Sequence, residues 1–398
     1  MKKILTLTIL ASALTISAWA TEEESQPAIA AELPEVVELP DPQAQPEKPK
    51  KVFSDLKLSG FVVANYTATL KDDDNSNTFN LRQVRLSVGG RVVEDFEYKF
   101  QFQFNGNTTN LGDAPRLLDA YIEWQKIKEF KIKFGQFKRP FTFENPMNPI
   151  DQGFMGYSQG VQKLSGYSDR TGEHSSNGRD IGIQVQGDLF PNANGRRVLH
   201  YQIGVFNGQG INMKDVDNQK DVIGGVWVSP LKSLRIGVFG WVGSYARDGE
   251  WTDDNGDTQS GVRSVGRHRY AISGEYNDGD WLLRSEYIHS VGGSFSTTHK
   301  DDDDASDATL NTSNGTRADA FYVAAWAPIV PKKLRFKLRY DLYRKAASWS
   351  SAKTQWEAGL NFLYNKNWEW HFEYALINDR TLTKHNYSQI YTQISWRF

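Results

Sequence analysis

Across residues 95–105 the chain alternates without a break. Phe96, Tyr98, Phe100, Phe102 and Phe104 fall on one parity, and Glu97, Lys99, Gln101, Gln103 and Asn105 on the other. A period of two with five aromatic rings on one side predicts a strand with one apolar and one wet face. The same pattern sets Phe130, Ile132 and Phe134 against Lys131 and Lys133, and Leu334, Phe336, Leu338 and Tyr340 against Arg335, Lys337 and Arg339. It returns in Trp368, Trp370, Phe372, Tyr374 and Leu376, and closes the chain with Ile390, Thr392, Ile394, Trp396 and Phe398. About sixteen such segments follow one another from residue 56 to the end, most of them about ten residues long, which is the length a tilted strand needs to cross a bilayer.

The connections alternate in length. Short polar turns at 91–95, 125–130, 191–198, 229–234, 277–281, 327–334 and 365–368 are interleaved with longer loops at 71–78, 105–115, 138–178, 207–220, 247–266, 290–316, 345–354 and 378–386. Antiparallel strands with one short-turn rim and one long-loop rim give this alternation. Periodicity does not say which face is wet: a soluble sandwich buries its apolar faces together, whereas a membrane barrel turns them to lipid and lines its lumen with charge.

The N-terminus favours the barrel. Lys2 and Lys3 precede an apolar run at 4–16, and Ala18-Trp19-Ala20 supplies small residues for cleavage, so residues 1–20 read as a secretory signal peptide. Residues 21–50 hold six of the 14 prolines and eight acidic residues against two lysines; such a segment buries too little apolar surface to fold, and a disordered periplasmic arm is expected. The remaining body, 51–398, carries 42 basic and 40 acidic residues. A near-balanced charge argues against broad phosphate neutralisation on nucleic acid. No cysteine is present for disulfides or thiolate metal sites, and no uncharged apolar run is long enough for a membrane-spanning helix. In lipid a strand cannot end at an open edge, so the sheet must close on itself.

Four local stretches give the body a family resemblance: Leu81-Arg82-Gln83-Val84-Arg85-Leu86, Gly135-Gln136-Phe137-Lys138-Arg139-Pro140-Phe141 leading to Glu144, Gly178-Arg179-Asp180-Ile181-Gly182, and Gly204-Val205-Phe206-Asn207-Gly208. Through them, and over the length 60–398, the chain resembles the phosphate-selective porin O and P family of outer-membrane porins. The resemblance implies a trimeric sixteen-stranded channel in a Gram-negative outer membrane, passing anions and in some members phosphate. It also implies that the loop at 138–178, 41 residues long and too long for an idle connection, folds into the lumen and narrows it. The terminal Phe398 resembles the signal that barrel-assembly machinery reads.

The candidate chemistry is electrostatic. Lys138, Arg139, Lys163, Arg170 and Arg179 lie in the long loop or at its exit, and strand parity sends Arg85, Lys99, Lys131, Lys133, Arg284, Arg335, Lys337 and Arg339 into the lumen. Basic groups there replace part of an anion's hydration and guide it inward. Glu97, Asp119, Glu123, Glu275, Glu286, Glu357 and Glu373 share that face and would cancel part of the field. Parity also puts Tyr121, Phe239, Trp241 and Tyr343 on the lumen side, as a sugar-preferring pore would have them. Gly156-Tyr157-Ser158-Gln159-Gly160 matches a hydrolase elbow only in letters, because that motif needs a strand-to-helix turn of an α/β sheet. The seven histidines show no metal-ligand spacing.

The sequence therefore predicts an all-β transmembrane antiparallel barrel of about sixteen strands with a long inward loop. Its expected function is passive diffusion of small anions, phosphate or polyphosphate among them, with no catalysis and no cofactor. Its expected partners are such anions and outer-membrane lipids, to which the resemblance adds the assembly machinery and two further copies of the chain. The competing readings are a general or sugar-preferring pore and a barrel serving as a surface adhesin.

Overall fold

The computed structural model describes residues 53–72, 74–104, 115–297, 309–313 and 315–398. The chain divides into two units, Met1–Pro49 and Lys50–Phe398. The first, with the expected signal peptide and arm, lies outside the described residues, as do the aspartates 301–304.

The second unit is one continuous antiparallel sheet. Its strands are β1 (Phe53–Leu70), β2 (Ser76–Val92), β3 (Phe96–Gln103), β4 (Arg116–Ile127), β5 (Phe130–Lys138), β6 (Arg179–Pro191), β7 (Arg197–Phe206), β8 (Asp221–Leu231), β9 (Leu234–Thr252), β10 (Thr258–Asn277) and β11 (Leu282–Val291). They continue through β12 (Ser294–Thr297), β13 (Thr309–Ser313), β14 (Arg317–Val330), β15 (Leu334–Arg344), β16 (Ala352–Leu363), β17 (Trp368–Asp379) and β18 (Asn386–Arg397). β1 pairs with both β2 and β18, so the sheet closes. Sixteen strands make the barrel wall, each beside its chain neighbour, with β11 pairing directly to β14. The short β12 and β13 pair with each other, and β13 meets β9 at Thr309 and Glu250 in a parallel contact, the exception to the antiparallel pairing.

The faces sort as a membrane barrel requires. Phe134 (62% exposed), Leu338 (40%) and Ile272 (53%) point outward, whereas Lys337 (1%) and Arg339 (3%) are buried inward on the same strand as Leu338. No described helix is long and apolar enough to cross a membrane; the crossing is made by strands. Leu338→Lys is therefore expected to destabilise the barrel by about 2–4 kcal/mol, the cost of a lysine on a lipid face near the midplane, measured as a lowered unfolding midpoint in detergent or lipid.

Two departures from the sequence pattern have physical causes. The loop expected at 247–266 is instead the upper part of a hairpin, with β9 and β10 paired from Tyr276 and Leu234 up to Thr258 and Thr252. Beyond the bilayer neither face meets lipid, so pairing continues while the alternation of residue types stops. Strands β8 and β9 look apolar on both parities because Val222, Val226, Ile236 and Val238 face outward while Ile223, Phe239 and Trp241 are buried inside. That inner face is covered by the long loop.

Candidate functional site

After β5 the chain turns at Pro140 and enters the lumen. Phe141, Phe143, Val161 and Leu164 bury themselves against Ile223, Phe239, Trp241, Ile288, Ala318 and Ala320 of the wall. A single helical turn, α1 (Gln159–Leu164), is capped by Ser158, whose Oγ accepts from the Val161 N–H at 3.2 Å. It lies close to β14: a Cβ on Gly160 would come within 2.9 Å of the Ala320 Cβ. The small residues are what let the turn approach.

A loop inside a barrel must find partners for its backbone, and here the charges of the wall supply them. Glu286 Oε1 accepts from Phe143 N (2.8 Å) and Glu144 N (3.0 Å). Glu373 Oε1 accepts from Met155 N at 2.9 Å, and Asp341 Oδ2 from Gln159 N at 2.8 Å. Arg284, Lys337 and Arg339 donate to the carbonyls of Gln152, Gly153 and Gly156 at 3.2, 3.1 and 2.9 Å.

The loop's return limb is fixed to β10 by buried ion pairs. Arg269 grips Asp169 with two bonds of 2.8 and 2.7 Å. Glu173 lies between Arg139 (3.0 Å) and Arg267; Arg139 also reaches Asp180 at 2.8 Å, and Arg267 reaches Asp221 at 2.6 Å. The guanidinium carbons of Arg139, Arg267 and Arg269 stand 4.9, 4.6 and 4.8 Å from the ring centre of Trp241, whose Nε1 donates to Asp221 at 2.7 Å. Burial pushes the Asp169 carboxyl up, but the Arg269 charge and hydrogen bonds outweigh it and hold the group well below the usual carboxylate range.

The basic residues expected to line the pore occupy different environments. Lys138 Nζ donates to the carbonyls of Asn145 (2.6 Å) and Met147 (3.0 Å) and to the hydroxyls of Tyr157 and Tyr167. Arg139 is in the ion-pair cluster, Arg170 bonds the carbonyls of Gly292 and Gly315, and Arg179 bonds Asp119 and Gln101. On the strands, Arg85 bonds Gln103, Lys131 pairs with Asp188 and Lys133 with Glu123. Lys99 pairs with Asp119 and Arg284 with Glu275, while Lys337 pairs with Glu373 and Arg339 with Glu357. Arg335 sits at the short-turn rim against the Gly279 carbonyl. Lys163 alone of the five loop cations borders the large open cavity.

That cavity, about 610 Å³, lies between the 155–163 limb of the loop and the wall of β1, β2 and β15 to β18. Of its lining cations, Arg82, Lys163, Lys345 and Lys353 have no ion-pair partner among the described residues, and the three lysines have no hydrogen-bonded side-chain partner either. Glu357 and Glu373 are held by Arg339 and Lys337, whereas Asp379 near Lys353 is held only by hydrogen bonds within its own turn. Arg82 also lines the cavity and donates to Gln393 at 3.1 Å. Strand parity missed it, because a bulge between Val63 and Ala64 of β1 inserts Arg82 into β2 and shifts the register, so that Leu81 faces out. Two arginines three residues apart were the available signal. Lys345 and Lys353 were missed because they fall in what reads as a loop beyond β15.

A smaller cavity of about 200 Å³ is lined by Lys99, Asp119, Tyr121, Lys133, Lys138 and Arg179 among others. Phe239 and Trp241 belong to the core beneath the loop, and Tyr343 borders both that core and the large cavity. Ser158 is fully buried and its hydroxyl donates to Glu144 at 2.6 Å. The described residues contain no group of three or more His, Asp or Glu side chains placed to hold a metal.

Residues 58–214 match the model of the family described as phosphate-selective porin O and P. The fold is similar to that of an anion-selective porin from Comamonas acidovorans, with a TM-score of 0.60 at 14% identity over 87% of this chain and 100% of that one. It is also similar to the outer-membrane channel DcaP of Acinetobacter baumannii (0.57, 13%, 87% and 97%) and to an in-vitro folded trimer form of Vibrio cholerae OmpT (0.54, 14%, 87% and 99%). No curated protein matches the sequence. With a closed sixteen-stranded wall, an outward-facing apolar band and a match to the porin O and P family model over residues 58–214, the chain is an outer-membrane porin of the Gram-negative envelope.

Proposed function

We propose that the porin is a passive channel favouring small anions, phosphate among them, with no reaction of its own. The observation that carries this is the pairing imbalance in the large cavity. Lys163, Lys345 and Lys353 are unpaired among the described residues, while most facing carboxylates are tied to arginine, lysine or backbone N–H. Unpaired cations in a narrow, low-dielectric passage raise the local anion concentration. The solute gradient supplies the driving force. A homotrimer, expected from the resemblance, belongs to the same proposal.

The test is the reversal potential of the purified protein in a planar bilayer under a KCl gradient. The native channel is expected to be anion-selective, and Lys163→Gln, Lys345→Gln and Lys353→Gln together are expected to bring the potential most of the way to zero. A cation-selective native channel, or an unchanged triple variant, overturns the reading. Burial first, and then the neighbouring Lys353, lower the Lys163 pKa below lysine's ordinary 10.5. Its charge is therefore lost on the acid side of 10.5, and anion selectivity is expected to start falling before that pH is reached.

A further inference from the structure

One arc of the large cavity carries the lysines and another is mostly amide and hydroxyl. Beside Arg82, which is bonded to Gln393, β1, β2 and β18 present Asn65, Thr67, Asn80, Gln389 and Tyr391. These residues form a contiguous lattice: Asn65 stands opposite Gln393 on one side and Asn80 on the other, and Thr67 stands opposite Tyr391. Within it Asn65 Nδ2 donates to Thr67 Oγ1 at 3.0 Å, Gln389 Nε2 donates to Thr69 Oγ1 at 3.0 Å, and the Tyr391 hydroxyl donates to Gln389 Oε1. Asn65 Oδ1 is left buried with no hydrogen-bond partner among the described residues.

This arc offers acceptors as well as donors, and only a hydroxyl uses both. An amide oxygen accepts from a hydroxyl and repels a carboxylate or phosphate oxygen. An amide-and-hydroxyl lattice suits a solute that carries several hydroxyls, and the lysines of the other arc suit a solute that carries a negative charge. The rings of Tyr157, Tyr343 and Tyr391 border the same space and offer apolar surface to the carbon face of a sugar. The volume of about 610 Å³ is in the range of small-molecule sites.

We propose that this chamber is a binding site for polyhydroxylated organic anions, sugar acids above all. The carboxylate meets Lys163, Lys345 and Lys353, and the ring hydroxyls bond the Asn65, Thr67, Asn80, Gln389 and Tyr391 arc. The proposal rests on the anion reading above, since the lysines hold the charged end of the solute.

The experiment measures block of chloride current through the full-length channel in planar bilayers. The added solutes are potassium glucuronate, potassium cyclohexanecarboxylate of similar size without hydroxyls, glucose without charge, and inorganic phosphate. Glucuronate is expected to half-block at a concentration about tenfold below each of the others, as two or three added hydrogen bonds allow. Asn65→Ala is expected to lower the preference for glucuronate over cyclohexanecarboxylate about fivefold, the worth of one such bond. Asn80→Ala, on the neighbouring strand, is expected to act in the same direction and serves if the first variant does not fold. Lys163→Ala is expected to weaken both blocks together. Equal block by glucuronate and cyclohexanecarboxylate, or tighter block by phosphate or glucose, in a channel whose reversal potential is anion-selective, overturns this inference alone. A reversal potential of cationic sign overturns the anion reading and this inference with it.

Discussion

Glu173→Ala is expected to widen the channel and weaken the barrel at once. The carboxylate is shared by Arg139 and Arg267, and all three side chains are fully buried. Removing one member of a buried ion pair strands the other charge, which typically costs about 3–5 kcal/mol. Here Asp180 and Asp221 still serve the two arginines, so the lower part of that range is expected. The limb from Gly166 to Gly178 then keeps only the Arg269–Asp169 ion pair to β10 and loosens from the wall. Single-channel conductance should rise, anion selectivity should fall, and the temperature at which the folded band disappears on gel electrophoresis should drop. Glu173→Gln, which keeps a hydrogen-bonding group and loses the charge, should fall between the two. Parental conductance and stability in Glu173→Ala would mean that the loop is held elsewhere.

The pH dependence of this latch has a definite sign. Burial opposes ionisation of Glu173, but Arg139 and Arg267 outweigh it and bring the group below its ordinary 4.5. A depressed carboxylate stabilises the fold fully above its unfolded value and loses that contribution as pH falls through the folded one. The difference between Glu173→Ala and the parent should therefore be complete above pH 4.5 and shrink in stronger acid.

Gly60→Val is expected to prevent barrel closure. Gly60 N donates to the Phe398 carbonyl at 3.0 Å and Phe398 N to the Gly60 carbonyl at 3.1 Å, the last pair of the seam between β1 and β18. A Cβ at Gly60 would meet the Arg85 carbonyl oxygen at 2.5 Å and Phe398 Cζ at 2.6 Å. The first neighbour is backbone of β2 and cannot swing aside, so β1 must shift against β2 and carry its side of the seam with it. In lipid each unpaired backbone group left at an open edge costs several kcal/mol, on the order of the net stability of a domain when a few are lost. Most of the variant should fail to reach the heat-modifiable folded form. Gly240→Val is the matched control: an added Cβ there meets nothing within 4 Å, and folding should proceed. Equal folded yields from both variants would show that the seam tolerates the displacement.

The ion pairs also explain why basic residues inside a barrel are a poor count of its selectivity. Arg284, Lys337 and Arg339 point into the lumen as their parity requires, yet each is engaged by a carboxylate and by a loop carbonyl. A lumen that holds a 41-residue loop needs donors and acceptors for that loop's backbone, and the wall charges are those groups. What remains for solute is the set left unpaired, which is smaller and lies nearer the long-loop rim.

The wall of this protein is written locally. Alternation in residues 95–105, 334–340 and 368–376 places each strand and its two faces, because a period of two fixes side-chain direction residue by residue. Most short and long connections likewise follow from local turn chemistry, and each of the sixteen wall strands contains its stretch of alternation, although β9 and β10 run on through residues where it has stopped. The constriction is not local. Whether Lys138 faces solute or Tyr157 and Tyr167, whether Arg139 is free or locked between Glu173 and Asp180, and whether Arg82 points inward all depend on groups tens to hundreds of residues away. Parity tells which side of a sheet a charge is on; only the three-dimensional neighbours decide whether that charge is already neutralised, and an ion pair is a property of two positions that the chain brings together by folding.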